Sequence, residues 1–113
     1  MIDFDVKIVN DKGEQSYVYT QVEGEEKREK IEMDAFYVVR RALLSNHSYD
    51  MIDKRAFELL SRENVALRYD IFNKLNENHQ CELTKEECDM VCELVPYQYD
   101  IIISGQIFKL CAE

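Results

Sequence analysis

A change of hydrophobic period divides this chain. Ile2, Phe4, Val6 and Ile8 alternate with Asp3, Asp5 and Lys7, and a repeat of two places the apolar side chains on one face of a strand. From residue 35 onward the apolar positions recur every third or fourth residue, as one face of a helix requires. A chain carrying both repeats in separate segments packs helices on a small antiparallel sheet, the α+β class. Its 113 residues suit one core, so a single α+β domain over 1–113 is expected.

The strands come first. Asn10-Asp11-Lys12-Gly13 follows the opening repeat; Asn and Asp favour a turn, and Gly accepts the positive φ that closes a hairpin. Residues 15–22 are rich in aromatic and β-branched types, which reads as the return strand of an N-terminal β-hairpin. Residues 23–33 carry two readings. Gly24-Glu25 can turn the chain into a third strand over 27–33, making a three-stranded antiparallel meander, or Glu25-Glu26 can open a long helix to Leu44. Asp34 as a helix N-cap favours the strand. Met33 and Val38 flank that cap at the positions of a hydrophobic staple.

About four to five α-helices complete the expected architecture. Residues 35–45 carry the stripe Phe36, Val39, Leu43. A second helix begins near Asp50 and turns Ile52, Ala56, Leu59 and Leu60 to the core, with an interruption at Ser61-Arg62-Glu63-Asn64. The pattern resumes over 65–77 and stops at Asn76, Asn78 and His79. Thr84 and Glu87 then form a capping box, with Leu83 and Cys88 as the staple. The helix behind it is expected to bury Cys88, Val91, Cys92 and Val95, spaced i, i+3, i+4, i+7, and to end at Pro96. For the tail, three consecutive Ile residues suggest a strand. The spacing of Ile103, Ile107, Leu110 and Cys111 behind Asp100 suggests a capped helix, the preferred reading, with Gly105 marking a close neighbour.

The residue types that carry chemistry are present without a recognisable site pattern. Cys88 and Cys92 are CxxxC within a helix, which lacks the knuckle turn of structural zinc sites, so they read as small core hydrophobes. His47 and His79 stand at predicted helix ends among Ser and Asn, as solvated groups. There is no GxSxG, HExxH, Walker loop or GxGxxG. Asp3 with Asp5, Glu25 with Glu26, and Glu86 with Glu87 read as solvated pairs. No catalytic residue, metal ligand or cofactor is expected, and the chain reads as a non-enzyme.

Charge supplies the functional expectation. The net charge is −9; residues 1–26 contribute −5, residues 27–75 contribute +2, and residues 76–113 contribute −6. Such a chain repels phosphate backbones, so neither direct nucleic-acid binding nor an anionic membrane is expected as a target. The absence of a charged-then-apolar leader points to the cytoplasm, where four Cys stay reduced. Seven Tyr offer contact area at low entropic cost. The leading expectation is an acidic protein-binding module with a basic protein partner. Its candidate contact residues are Tyr17, Tyr19, Glu86, Glu87, Asp89, Glu93, Tyr97 and Tyr99. An inhibitor or decoy that fills a basic, nucleic-acid-binding groove is the specific form, by analogy of size and charge alone with small acidic phage proteins. The alternative is a structural subunit that homo-oligomerises through the hairpin edge or the Ile-rich C-terminal segment.

Overall fold

The computed structural model describes residues 1–21, 24, 28–45, 55 and 58–112. Among them the order is β1 (Ile2–Asp3), β2 (Tyr17–Gln21), β3 (Arg28–Glu32), α1 (Ala35–Leu44), α2 (Arg62–Glu77), β4 (Gln80–Cys81), α3 (Lys85–Leu94), a 3₁₀ turn (Val95–Tyr97) and α4 (Ile101–Ala112). The fold is α+β, with two separate two-stranded antiparallel sheets, β1–β4 and β2–β3. The start of the second helix expected near Asp50 falls outside the described residues, as does His47; of its expected core face, Leu59 is buried and Leu60 half-buried.

The N-terminal repeat of two does not make one continuous strand. The Asp3 carboxylate accepts the Asp5 amide at 2.9 Å, an Asx turn that breaks the extended run. β1 therefore pairs with β4, Ile2 opposite Cys81, while Lys7 bridges to Asp34 and Val9 to Gln15. Phe4 and Ile8 are fully buried, whereas Val6 is left exposed beyond the break. The turn at Asn10–Gly13 is formed as expected. The Asn10 side chain accepts the amides of Lys12 and Glu14, and Gly13 takes φ +78°. The return segment pairs with the first strand only at its start and then with the third. Tyr17 lies opposite Glu32 and Tyr19 opposite Lys30, and Gly24, φ +84°, lies between these strands.

The three segments meet in a ring of backbone hydrogen bonds. Ile8 donates to Met33, Met33 to Ser16, and Ser16 to Ile8, each at 2.9 Å. The Gln15 side-chain amide reaches all three carbonyls, of Ile8, Ser16 and Met33, at 3.2, 2.7 and 3.0 Å, its two hydrogens shared among them. On the far side, Gln106 from α4 imitates a neighbouring strand. Its Oε1 accepts the Val9 amide at 2.9 Å and its Nε2 donates to the Val9 carbonyl at 2.8 Å. Side-chain amides thus satisfy an edge that no further strand covers among the described residues.

Asp34 caps α1, accepting the Tyr37 amide at 2.8 Å, and both Met33 and Val38 of the staple are buried. The α1 core face is Ala35, Val38, Val39, Ala42 and Leu43; Phe36 lies at its margin, stacked on His79 with ring centroids 3.9 Å apart. That histidine is not a solvated helix end. It bonds Asp5 Oδ1 at 2.7 Å and clamps the N-terminal segment over Phe36. The interruption expected at Ser61–Asn64 falls slightly earlier, over Leu59–Ser61: Ser61 is the N-cap of α2 and accepts the Asn64 amide, so Arg62–Asn64 already belong to the helix. α2 buries Ile71 and Leu75, α3 buries Val91 and Leu94, and α4 buries Ile107. α1 packs on both α2 and α3, and α3 on α4. Pro96 opens the 3₁₀ turn rather than merely closing α3. Asp100 caps α4, accepting the amides of Ile102 and Ile103, so the tail is a helix. Gly105 does not mark a close neighbour, because a Cβ there would meet nothing within 4 Å.

Arg68 of α2 is buried, 7% exposed. Its Nε and Nη2 donate to the Leu43 carbonyl at 3.1 and 2.6 Å, Nη2 also donates to Ser45, and Nη1 reaches the Leu59 carbonyl at 3.4 Å. Burial lowers its pKa, yet guanidinium remains charged in proteins. The negative end of the α1 dipole takes the place of a carboxylate. Arg68→Ala is expected to destabilise the fold by about 2–4 kcal/mol, since it strands the last carbonyls of α1. Arg68→Lys should restore only part of this, because a compact ammonium cannot span the same acceptors. Urea unfolding followed by circular dichroism measures both.

Candidate functional site

The C-terminal acids are organised by α3. The Thr84 hydroxyl accepts the Glu87 amide at 3.1 Å, and Glu87 Oε1 accepts the Thr84 amide at 2.9 Å, completing the capping box. Lys74 Nζ from α2 donates to the same Oε1 at 2.7 Å. Glu87 is 4% exposed. Its burial opposes the charge, but the Lys74 ammonium and the two Thr84 contacts outweigh burial and hold the carboxyl below its ordinary range. Glu87 is thus buried and engaged inside the chain through Oε1, and does not stand on the surface with the other expected contact residues.

Its sequence neighbours point outward. Glu86 and Asp89 are exposed and Glu93 half-buried; their i, i+3, i+7 spacing puts them on one helix face. With Asn64 and Leu67 of α2, Met90, Lys85 and Arg55, they line a groove of about 480 Å³. Arg55 Nε bonds both oxygens of Glu93, at 2.8 and 3.0 Å, and its Nη1 reaches Glu58 at 3.2 Å. The hydrogen bonds to Glu93, then Glu58, push the Arg55 pKa upward. The carboxylate of Glu93 therefore enters the groove as half of an ion pair, while Glu86 and Asp89 give it a negative rim.

The tyrosines lie on other elements. Tyr17 and Tyr19 share a face of β2 and are exposed, and Lys30 Nζ sits 3.9 Å over the Tyr17 ring. Tyr97 is exposed on the 3₁₀ turn just beyond α3. Tyr99 is half-buried against the core. Burial, then Tyr37, raises its phenol pKa against the opposing pull of Arg41. The structure therefore brings Glu86, Asp89 and Glu93 together, sets Tyr97 at the end of their helix, and leaves Tyr17 and Tyr19 on the β2–β3 ribbon.

The cysteines also depart from expectation. Val91 and Val95 are fully buried, but Cys88 and Cys92 are only half-buried. The core face of α3 runs through Glu87, Met90, Val91 and Leu94, which turns the thiols to the flank facing α4. The sequence reading missed this grouping, along with Arg55 on Glu93 and His79 on Asp5. Each requires residues at least 19 positions apart to meet, and no local spacing encodes that. Among the described residues, no three His, Cys, Asp or Glu side chains are arranged to hold a metal ion, and no helix is long and apolar enough to cross a membrane.

Fold and site define a small α+β domain with an acid-rimmed groove between two helices. Comparison with known proteins returns no matching family model, no matching curated protein and no matching solved structure.

Glu87→Gln is expected to cost about 1–2 kcal/mol at neutral pH, through the weakened cap and the lost Lys74 pair. Because the folded carboxyl titrates below its ordinary value of 4.5, the wild-type contribution is whole above that value. It disappears as pH falls through the lowered folded value. The stability difference between variant and wild type should therefore shrink on acidification, as measured by urea titrations at neutral and acid pH.

Proposed function

We propose that this domain is a non-enzymatic acidic binding module that captures a basic surface of another protein through the outward face of α3. The observation that carries the reading is the pair of exposed carboxylates, Glu86 and Asp89, at the rim of the α2–α3 groove. They belong to a segment, residues 76–113, with a net charge of −6. Carboxylates repeated along one helix face present a row of negative charge, the feature that a basic groove built for a phosphate backbone would attract. An inhibitor or decoy occupying such a groove is the specific form of this reading, and Tyr97 at the end of α3 supplies an aromatic contact beside the acids. The test is capture by the immobilised wild-type chain and by Glu86→Lys/Asp89→Lys from lysate of its native cells, at low and high salt. A partner held at low salt, released at high salt and lost from the double variant supports the proposal. A partner that the variant retains, or none at all, counts against it.

A second reading, homo-oligomeric assembly, is favoured by one observation: Ile101 is 85% and Phe108 40% exposed, and seven residues apart they share one face of α4. Light scattering after size exclusion measures the mass. This reading expects a dimer or larger ring that Ile101→Asp converts to monomers; an acid in the first helical turn suits the dipole, so the variant should still fold. A wild-type monomer removes the reading.

A further inference from the structure

Cys88 and Cys92 stand one turn apart on α3, and Cys111 stands near the end of α4, the helix packed on it. Cys92 and Cys88 lie near enough to the Cys111 thiol to bear on its protonation. Cys88 and Cys111 also line a groove of about 480 Å³ that opens beside Met1 and Ile2. All four cysteines are free, and none is fully buried. Cys81 belongs to a different setting, on β4 near Lys74 and Glu87. Cys88 and Cys111, from two packed helices, thus share one open groove, with Cys92 one turn further along α3.

Geometry decides which bond such a cluster can make. Helix residues four apart hold their Cβ atoms about 5–6 Å from each other, whereas a disulfide needs about 3.5–4.5 Å. Cys88 and Cys92 cannot join within an intact α3, so a bond must run between helices. Cys88 and Cys92 both belong to the helix on which α4 packs, so either is a candidate partner for Cys111.

We propose that Cys111 is the pivot of an oxidation-responsive thiol site, which closes a disulfide to Cys92 or to Cys88 and fastens α4 covalently to α3. The oxidant is a small-molecule disulfide such as oxidised glutathione. One thiolate attacks it, releasing one reduced glutathione and leaving a mixed disulfide; the second protein thiolate displaces the other glutathione. Two protein S–H bonds and the glutathione S–S bond are lost, one protein S–S bond forms, and the two protons end on two glutathione thiols. In the reduced state burial, then the neighbouring thiols, keeps Cys111 protonated, and burial does the same for Cys92. The cluster thus rests as neutral thiols, and the attack draws on their minor thiolate fraction, so closure quickens as pH rises.

The test treats the folded full chain with excess oxidised glutathione, counts free thiols and maps the disulfide by mass spectrometry. The free-thiol count is expected to fall from four to two, with a mass loss of two hydrogens and a cross-link from the Cys111 peptide to the α3 peptide. Cys88→Ser and Cys92→Ser should each still form the cross-link through the remaining α3 thiol, while Cys111→Ser and the double Cys88→Ser/Cys92→Ser should not. Thermal unfolding of the oxidised wild type should shift upward and return on reduction. Four free thiols after treatment, glutathione adducts without a cross-link, a bond through Cys81, or a bond between two chains would each overturn the proposal. Because the wild type and two single variants carry the expected product, a misfolded Cys111→Ser chain does not decide the outcome.

Discussion

The Arg68 guanidinium is the interaction on which the helical layer depends. It is a buried charge without a carboxylate partner among the described residues, and it is tolerated because the open end of α1 supplies oriented carbonyl oxygens. The dependence runs both ways. The carbonyls of Leu43 and Ser45 need a donor, and the fork of Arg68 needs acceptors in the plane that those carbonyls define. This arrangement sets where α2 crosses α1, and with it where α3 can lie. The other end of α1 is equally determined. The amides of Ala35 and Phe36 donate to the carbonyls of Val6 and Phe4, so the extended N-terminal segment serves the first turn of α1 as well as the sheet. A helix of 10 residues is marginal by itself, and α1 is defined at both ends by groups from elsewhere in the chain.

Local chemistry was legible in the sequence wherever a residue acts on its own neighbours. Asp34, Thr84 with Glu87, and Asp100 cap the helices they were read to cap, because an N-cap bond spans only two or three residues. The turn at Asn10–Gly13 was legible for the same reason. What the sequence concealed were exchanges of partner. Alternation over Ile2–Ile8 describes side chains that point alternately, but not which strand lies alongside, and the Asx turn at Asp3 divides the run between β4 and the ring around Gln15. The break before α2 was legible but placed too late, because the cap residue Ser61 and the first-turn residues Arg62–Asn64 are also common loop types. The roles of Gln15, Gln106 and Arg68 had no sequence signal, since each satisfies backbone groups distant in the chain.

The candidate site was legible in composition and hidden in direction. Glu86, Glu87, Asp89 and Glu93 form one acidic run in the sequence, yet helix geometry assigns them different roles. Glu87 turns inward to its own cap and Lys74, Glu93 is held by Arg55, and Glu86 and Asp89 remain in solvent. Net charge therefore overstates what a partner would meet, because two of the four carboxylates already carry an internal counter-ion. Like charges on adjacent turns repel, and the Lys74 and Arg55 pairs relieve that repulsion while leaving the outer rim negative.

α3 gathers these constraints because its circumference is divided into three sectors. Met90, Val91 and Leu94 face the core, Glu86, Asp89 and Glu93 face the groove with α2, and Cys88 and Cys92 face α4. Ten residues at about 100° per residue leave little of the surface uncommitted, so no sector can rotate without disturbing the others. The capping box fixes the phase of the helix at its first turn, and Lys74 locks that phase to α2 through Glu87. The orientation of the acids toward the groove and of the thiols toward α4 thus follows from the buried face that Glu87 shares with Met90, Val91 and Leu94. An element set in this way holds its two outward flanks in fixed relation, so a contact made on the acidic side is presented by the same rigid body that carries the thiols.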